Sequence, residues 1–181
     1  MGRYVALLRG INVGGNNLIG MVKLKGCFEA NGFERVTTYI QSGNVIFDAA
    51  SSDRKGLVTR IEKMLTASFP PYAASVVLRS ESQMRRIVAE APKGFGKRPD
   101  EYRYDVLFLK DPLKPAVTMK SVLTREGVDQ AYAGPGVIYF ARVAAKATKS
   151  LLPRLASQPV YQQMTIRNWN TTVKILGLMA G

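Results

Sequence analysis

The chain has 181 residues, 46% hydrophobic and 22% charged, and a formal charge of +13. It is long enough for one large core or two small ones. Wholesale disorder is excluded by composition, and no apolar run approaches the roughly 20 residues that span a bilayer. With no histidine and one cysteine, Cys27, a Ser–His nucleophile, His-ligated zinc, an imidazole acid–base group and an internal disulfide are excluded as well.

The single cysteine suits a reducing compartment. The N-terminal apolar run, Tyr4 to Leu8, is shorter than the roughly 7–15 residues of a signal-peptide core. Both features lead us to expect a cytoplasmic protein with no membrane partner.

Residues 3–9 form the first expected strand, apolar on both faces and therefore central. It runs into Gly10-Ile11-Asn12-Val13-Gly14-Gly15-Asn16-Asn17. Met21 to Asn31 then shows helical spacing, with Gly32 as a stop. Val36 to Gln41 is β-branched and aromatic, a second strand. Ser42-Gly43 is a tight turn, and Asn44 to Asp48 returns as a third strand. Ser51 or Ser52 can cap a helix over Asp53–Phe69 that Pro70-Pro71 ends. Ala74 to Leu78 is the fourth strand.

This β-α-β-β-α-β order over residues 3–79 is that of a ferredoxin-like unit. Ser80 caps a helix over Glu81–Glu90, and Pro92–Pro99 reads as a loop or hinge. A second series follows: strand Arg103–Leu109, helix Pro115–Thr124, strand Val128–Ala133, strand Val137–Arg142. Helices are expected at Lys149–Ala156 and Ile166–Met179. The fold class is α+β, with two tandem ferredoxin-like units and antiparallel sheets. The expected domains are 1–79, carrying the Gly/Asn-rich loop, and 80–181, ending in a helix; a diverged duplication would produce this pattern.

In such a unit the end of strand one and the turn between strands two and three lie at one edge of the sheet. Arg9, Asn12, Gly14, Gly15 and Asn17 should therefore face Gln41, Ser42 and Asn44. Backbone N–H groups, amides, a hydroxyl and a guanidinium suit a phosphate or carboxylate. The loop lacks the Gly-Lys-Ser/Thr ending of a P-loop and the G-x-G-x-x-G of a dinucleotide site. Glycine and asparagine also serve wherever positive φ is required, so the loops could instead be turns bonded to themselves. Arg167, Asn168, Trp169 and Asn170 are a further candidate set. Asn168 or Asn170 can cap the last helix, and Trp169 either stacks on a ring or anchors that helix.

The segments YVALLRGINVGG (Tyr4–Gly15), TYIQSGNVIF (Thr38–Phe47) and RNWNTTV (Arg167–Val173) resemble those of a bacterial family known as domain of unknown function 1697, in a match running essentially end to end. The resemblance implies two tandem ferredoxin-like domains in a cytoplasmic protein, and no particular activity, substrate or cofactor. The recurring residues fall on Arg9, Gly10, Asn12, Gly14, Gly15, Gln41, Ser42, Gly43, Asn44 and Arg167 to Asn170. The Ala- and Lys-rich stretch Arg142–Ser150 departs from it.

No catalytic constellation is recognisable. The expected partner is a phosphorylated or carboxylated metabolite held in the convergent loops. One alternative is a nucleic-acid-binding module. From Gln130 to Gly181 the chain carries six basic residues and no Asp or Glu, a field that attracts phosphates. A structural or regulatory dimer without a ligand is the second alternative.

Overall fold

The computed structural model describes residues 1–181. It divides into two compact units, one of Met1–Met84 with Ile175–Gly181 and the other of Arg85–Lys174.

The first unit runs β1 (Gly2–Leu8), α1 (Met21–Ala30), β2 (Glu34–Tyr39), β3 (Asn44–Ala49), α2 (Arg54–Ser68) and β4 (Val76–Ser80), and the helix α3 (Glu81–Ala89) begins directly after. Its sheet has the order β2-β3-β1-β4 with every neighbour antiparallel. Alternate residues Tyr4, Ala6 and Leu8 of β1 and Val45 and Phe47 of β3 join Leu24 and Phe28 of α1 and Leu57, Ile61 and Leu65 of α2 in one core. Phe28, Phe33 and Phe47 form a ring cluster with centroids 4.7–5.4 Å apart. Burying each such side chain contributes about 1.5–3 kcal/mol. Val5, Leu7 and Ile46, which point to the opposite face, are also buried. The unbroken apolar run of β1 thus reflects a strand with no solvent-facing side.

The second unit contains β5 (Tyr102–Leu109), the single-turn α4 (Pro115–Thr118), β6 (Asp129–Ala133), β7 (Val137–Val143), β8 (Met164–Asn168) and the start of α5 (Trp169–Met179). Its order, β6-β7-β5-β8, repeats the first sheet strand for strand. The repeat extends to single hydrogen bonds. Leu8 N–H donates to Gly43 O at 2.8 Å and Leu109 N–H to Gly136 O at 3.1 Å. Arg9 N–H donates to Ser75 O and Lys110 N–H to Gln163 O, both at 2.9 Å. Arg79 pairs with Val5 and Arg167 with Val106, and each guanidinium donates to the carbonyl of the residue before it. The architecture is therefore two ferredoxin-like units in tandem.

Several local expectations are corrected. Met164–Asn168 is a strand, so the expected helix from Ile166 starts only at Trp169; pairing with the free side of β5 overrides a helical spacing that Ile166 happens to share. The helix expected over Lys149–Ala156 is replaced by 3-10 turns at Ala144–Lys149, Leu152–Ser157 and Pro159–Gln163, where Pro153 and Pro159 remove backbone donors. Pro115–Thr124 shortens to one α-turn followed by a 3-10 turn. Helix α2 is capped by Asp53, which accepts from Gly56 N–H at 3.1 Å, while Ser51 Oγ accepts from Asp53 N–H. Ser80 does cap α3: it accepts from Gln83 N–H, and the Gln83 side chain accepts from Ser80 N–H, a reciprocal box.

Candidate functional site

The two loops of the first unit meet at the sheet edge. Asn12 is the clasp. Its Nδ2 donates to Gln41 O at 2.7 Å and to Ile19 O at 3.0 Å, and its Oδ1 accepts from Ile19 N–H at 2.8 Å. Asn17 Nδ2 donates to Gly10 O at 2.9 Å. Asn44, fully buried, donates to Tyr39 O at 2.8 Å and to Ser42 Oγ at 3.2 Å. The backbone of Arg9 is held at both ends, by Ser75 O and by the Tyr72 hydroxyl, which donates to Arg9 O at 2.8 Å. Gly43 has φ +84°, and a Cβ there would lie 2.6 Å from Ile11 Cδ1, so the turn accepts no side chain without displacing the loop.

Gly14 and Gly15 sit at the exposed tip, both with positive φ, beside the Val13–Asn16 bridge. The large side chains standing out from this loop are Val13 and Leu18, 63% and 76% exposed. Topology thus brings Arg9 to Asn17 together with Gln41 to Asn44. The amide groups of Asn12, Asn17 and Asn44, however, are bonded within the loops, to backbone carbonyls and the Ser42 hydroxyl, and the exposed side chains of the first loop are Val13, Asn16 and Leu18.

The remaining predicted residues belong to the second unit. Arg167 is buried on β8, with Nη1 donating to Thr165 Oγ1 at 2.8 Å and Ile166 O at 2.9 Å. Asn168 is the cap of α5, its Oδ1 accepting from Thr171 N–H at 2.8 Å. Trp169 packs edge-to-face on Phe95, centroids 5.1 Å apart and planes at 88°. Gly96, at φ +80°, passes directly beneath the indole, where any Cβ would collide with Nε1.

Asn168, Trp169 and Asn170 line a cavity of about 320 Å³ together with Gly96, Pro99, Tyr102, Arg103, Tyr104, Asp105 and Arg142. Strand β8 stops opposite Asp105, so the first residues of β5 have no partner on that side. The cavity occupies this gap beside the start of α5, where helix N–H groups favour negative charge.

Arg142 Nη2 stands 3.3 Å from Asp105 Oδ2. Neither Asp105 Oδ2 nor Arg142 Nε, both buried, has a hydrogen-bond partner. Burial pushes the Asp105 carboxyl above its ordinary value, against the opposing pull of Arg142 and Arg103. The cavity is thus lined by a desolvated carboxyl, two guanidiniums, two amides and three aromatic rings, the group types from which ligand sites are built. Tyr102, Arg103, Tyr104 and Asp105 were missed from sequence. Their signal is the alternation Tyr-Arg-Tyr-Asp ahead of the apolar Val106–Leu109, where β5 leaves its core.

Fold and cavity define a tandem ferredoxin-like α+β protein with a candidate ligand site in its second unit. The chain belongs to the family described as Protein of unknown function (DUF1697), whose family model matches residues 1–139. That match ends ahead of β8 and α5, short of the end-to-end likeness expected from the motifs. The chain is similar in structure to the conserved bacterial protein SP0830 from Streptococcus pneumoniae, at 29% identity and a TM-score of 0.86 over 98% of each chain. No curated protein matches it. None of its helices is long and apolar enough to cross a membrane.

Proposed function

We propose that the protein binds an anionic ligand carrying a planar ring, in the second-unit cavity rather than at the Gly/Asn loops. The observation that carries this reading is the cavity wall. Tyr102, Tyr104 and Trp169 offer ring surface, Arg103 offers charge beside the Arg142–Asp105 pair, and Asn168 and Asn170 complete the lining. Asp105 adds an acceptor for a ring N–H or amino group. A nucleotide has all three features: phosphate, planar base and amino donor. The loop clasp of the first unit is a structural device on this reading, since its amides are already bonded.

The test is a thermal-shift series with nucleoside monophosphates, sugar phosphates and dicarboxylates. A ligand at ten times its Kd adds about 1.4 kcal/mol, or about 3–6 °C in Tm for a chain of this size. The shift should disappear in Arg103→Ala, at an exposed position, with the unliganded melting curve of the variant checking that its fold is kept, and persist in Arg9→Ala. The opposite pattern returns the site to the loops.

A further inference from the structure

A second cavity, of about 250 Å³, adjoins the first and shares Tyr102 and Tyr104 with it. Its other walls include Lys93, Phe95, Arg98, Gln130 and Tyr132, and no Asp or Glu lines it. Strand register places its residues on one face of the sheet: Tyr104 and Gln130 both pair with Ala141, and Tyr132 pairs with Tyr139. The Tyr102 and Tyr104 rings are 5.9 Å apart, and Phe95 braces Tyr104 edge-on at 4.8 Å. The Arg98 guanidinium lies over the Tyr102 ring, 5.3 Å from its centroid, and is paired through Nε and Nη2 with the Glu101 carboxylate, from which a phosphate would have to draw it. Tyr132 is 41% exposed at the sheet edge.

We propose that the two cavities form one track for a short single-stranded nucleic acid, with bases on Tyr102, Tyr104 and Tyr132 and phosphates near Lys93 and Arg98. This rests on the nucleotide-like reading of the first cavity and extends it from one unit to several. Two features of the track favour a strand over a single nucleotide. Ring surface continues beyond the first cavity through rows of the same sheet face, and Lys93 and Arg98 line the second cavity beside those rings. Single strands are held in this way, by stacking on aromatic side chains along a positively charged groove. The chain's charge of +13 supplies the matching long-range attraction.

The experiment is fluorescence anisotropy with labelled six-nucleotide RNA and DNA over a salt series, beside thermal shifts with nucleoside monophosphates, on the full chain and two variants. Tyr132→Ala and Lys93→Ala alter exposed residues of the second cavity only. The expected result is oligonucleotide binding at least about tenfold tighter than that of the monophosphate. Tyr132→Ala should weaken it by about tenfold, and Lys93→Ala should lower the log–log salt slope by about one. Both variants should keep the monophosphate shift. Oligonucleotide affinity equal to that of the monophosphate, or unchanged in both variants, overturns the track and leaves the cavity reading standing. Absence of binding by either ligand overturns both.

Discussion

The side-chain amide of Asn12 reaches across to the carbonyl of Gln41 at 2.7 Å and joins two loops that are 29 residues apart in sequence. The same side chain also bonds Ile19 through both its donor and its acceptor. One residue at φ +53° therefore sets the geometry of the whole sheet edge.

Asn12→Ala should lower stability by about 2 kcal/mol, because two carbonyls and an N–H lose their partner and alanine tolerates this φ poorly. Asn12→Gly removes the same bonds but relieves the backbone, and should recover about 1 kcal/mol of that loss. Urea denaturation of the two variants separates the contributions. Equal midpoints would show that backbone conformation contributes nothing.

Asp48 sits between Arg3 and Arg35. Burial pushes its carboxyl up, but hydrogen bonds from Arg35 and Arg3 outweigh this and hold it below its ordinary value. Such a group stabilises the fold above its unfolded pKa and loses that contribution as pH falls through the folded value. Asp48→Asn should therefore cost about 1–3 kcal/mol at neutral pH, with the gap to the parent closing in strong acid. Thermal melts from pH 2 to 7 check this.

Asp105 should behave in the opposite sense. Its proton affinity is raised by burial, so its contribution is greatest below the ordinary aspartate value and falls as pH rises through the folded value. Relative to Asp105→Asn, the parent protein should lose ground across that acidic window and then hold a constant difference to neutral pH. A difference that moves the other way would place Asp105 among the structural ion pairs.

Gly96→Ala introduces a Cβ into the Trp169 indole at a backbone angle that disfavours side chains. We expect a loss of about 2–3 kcal/mol. Because Trp169 is the only tryptophan, its emission should shift to the red as the ring is displaced. Unchanged emission would mean that the indole is not held there.

Much of this molecule was legible before any coordinates. Alternation and turn chemistry placed seven of the eight strands, and the β-α-β-β-α-β order brought Arg9 to Asn17 beside Gln41 to Asn44. β8 was not legible because its five residues become a strand only when β5 presents an open side. The asparagines of the loops were read as candidate donors to a ligand, and their amides point to backbone carbonyls instead. Residue type states what a group is able to bond, and only the folded distances state what it bonds.

The sequence alone determined the two ferredoxin-like units, because apolar periodicity and glycine positions are local properties that each segment carries with it. Tertiary structure decided where the second-unit cavity opens. Tyr102, Arg103 and Asp105 meet Arg142 and Asn168–Asn170 only after β8 stops short of the start of β5. A cavity is the space that strands of unequal length leave between them, and no segment encodes it alone.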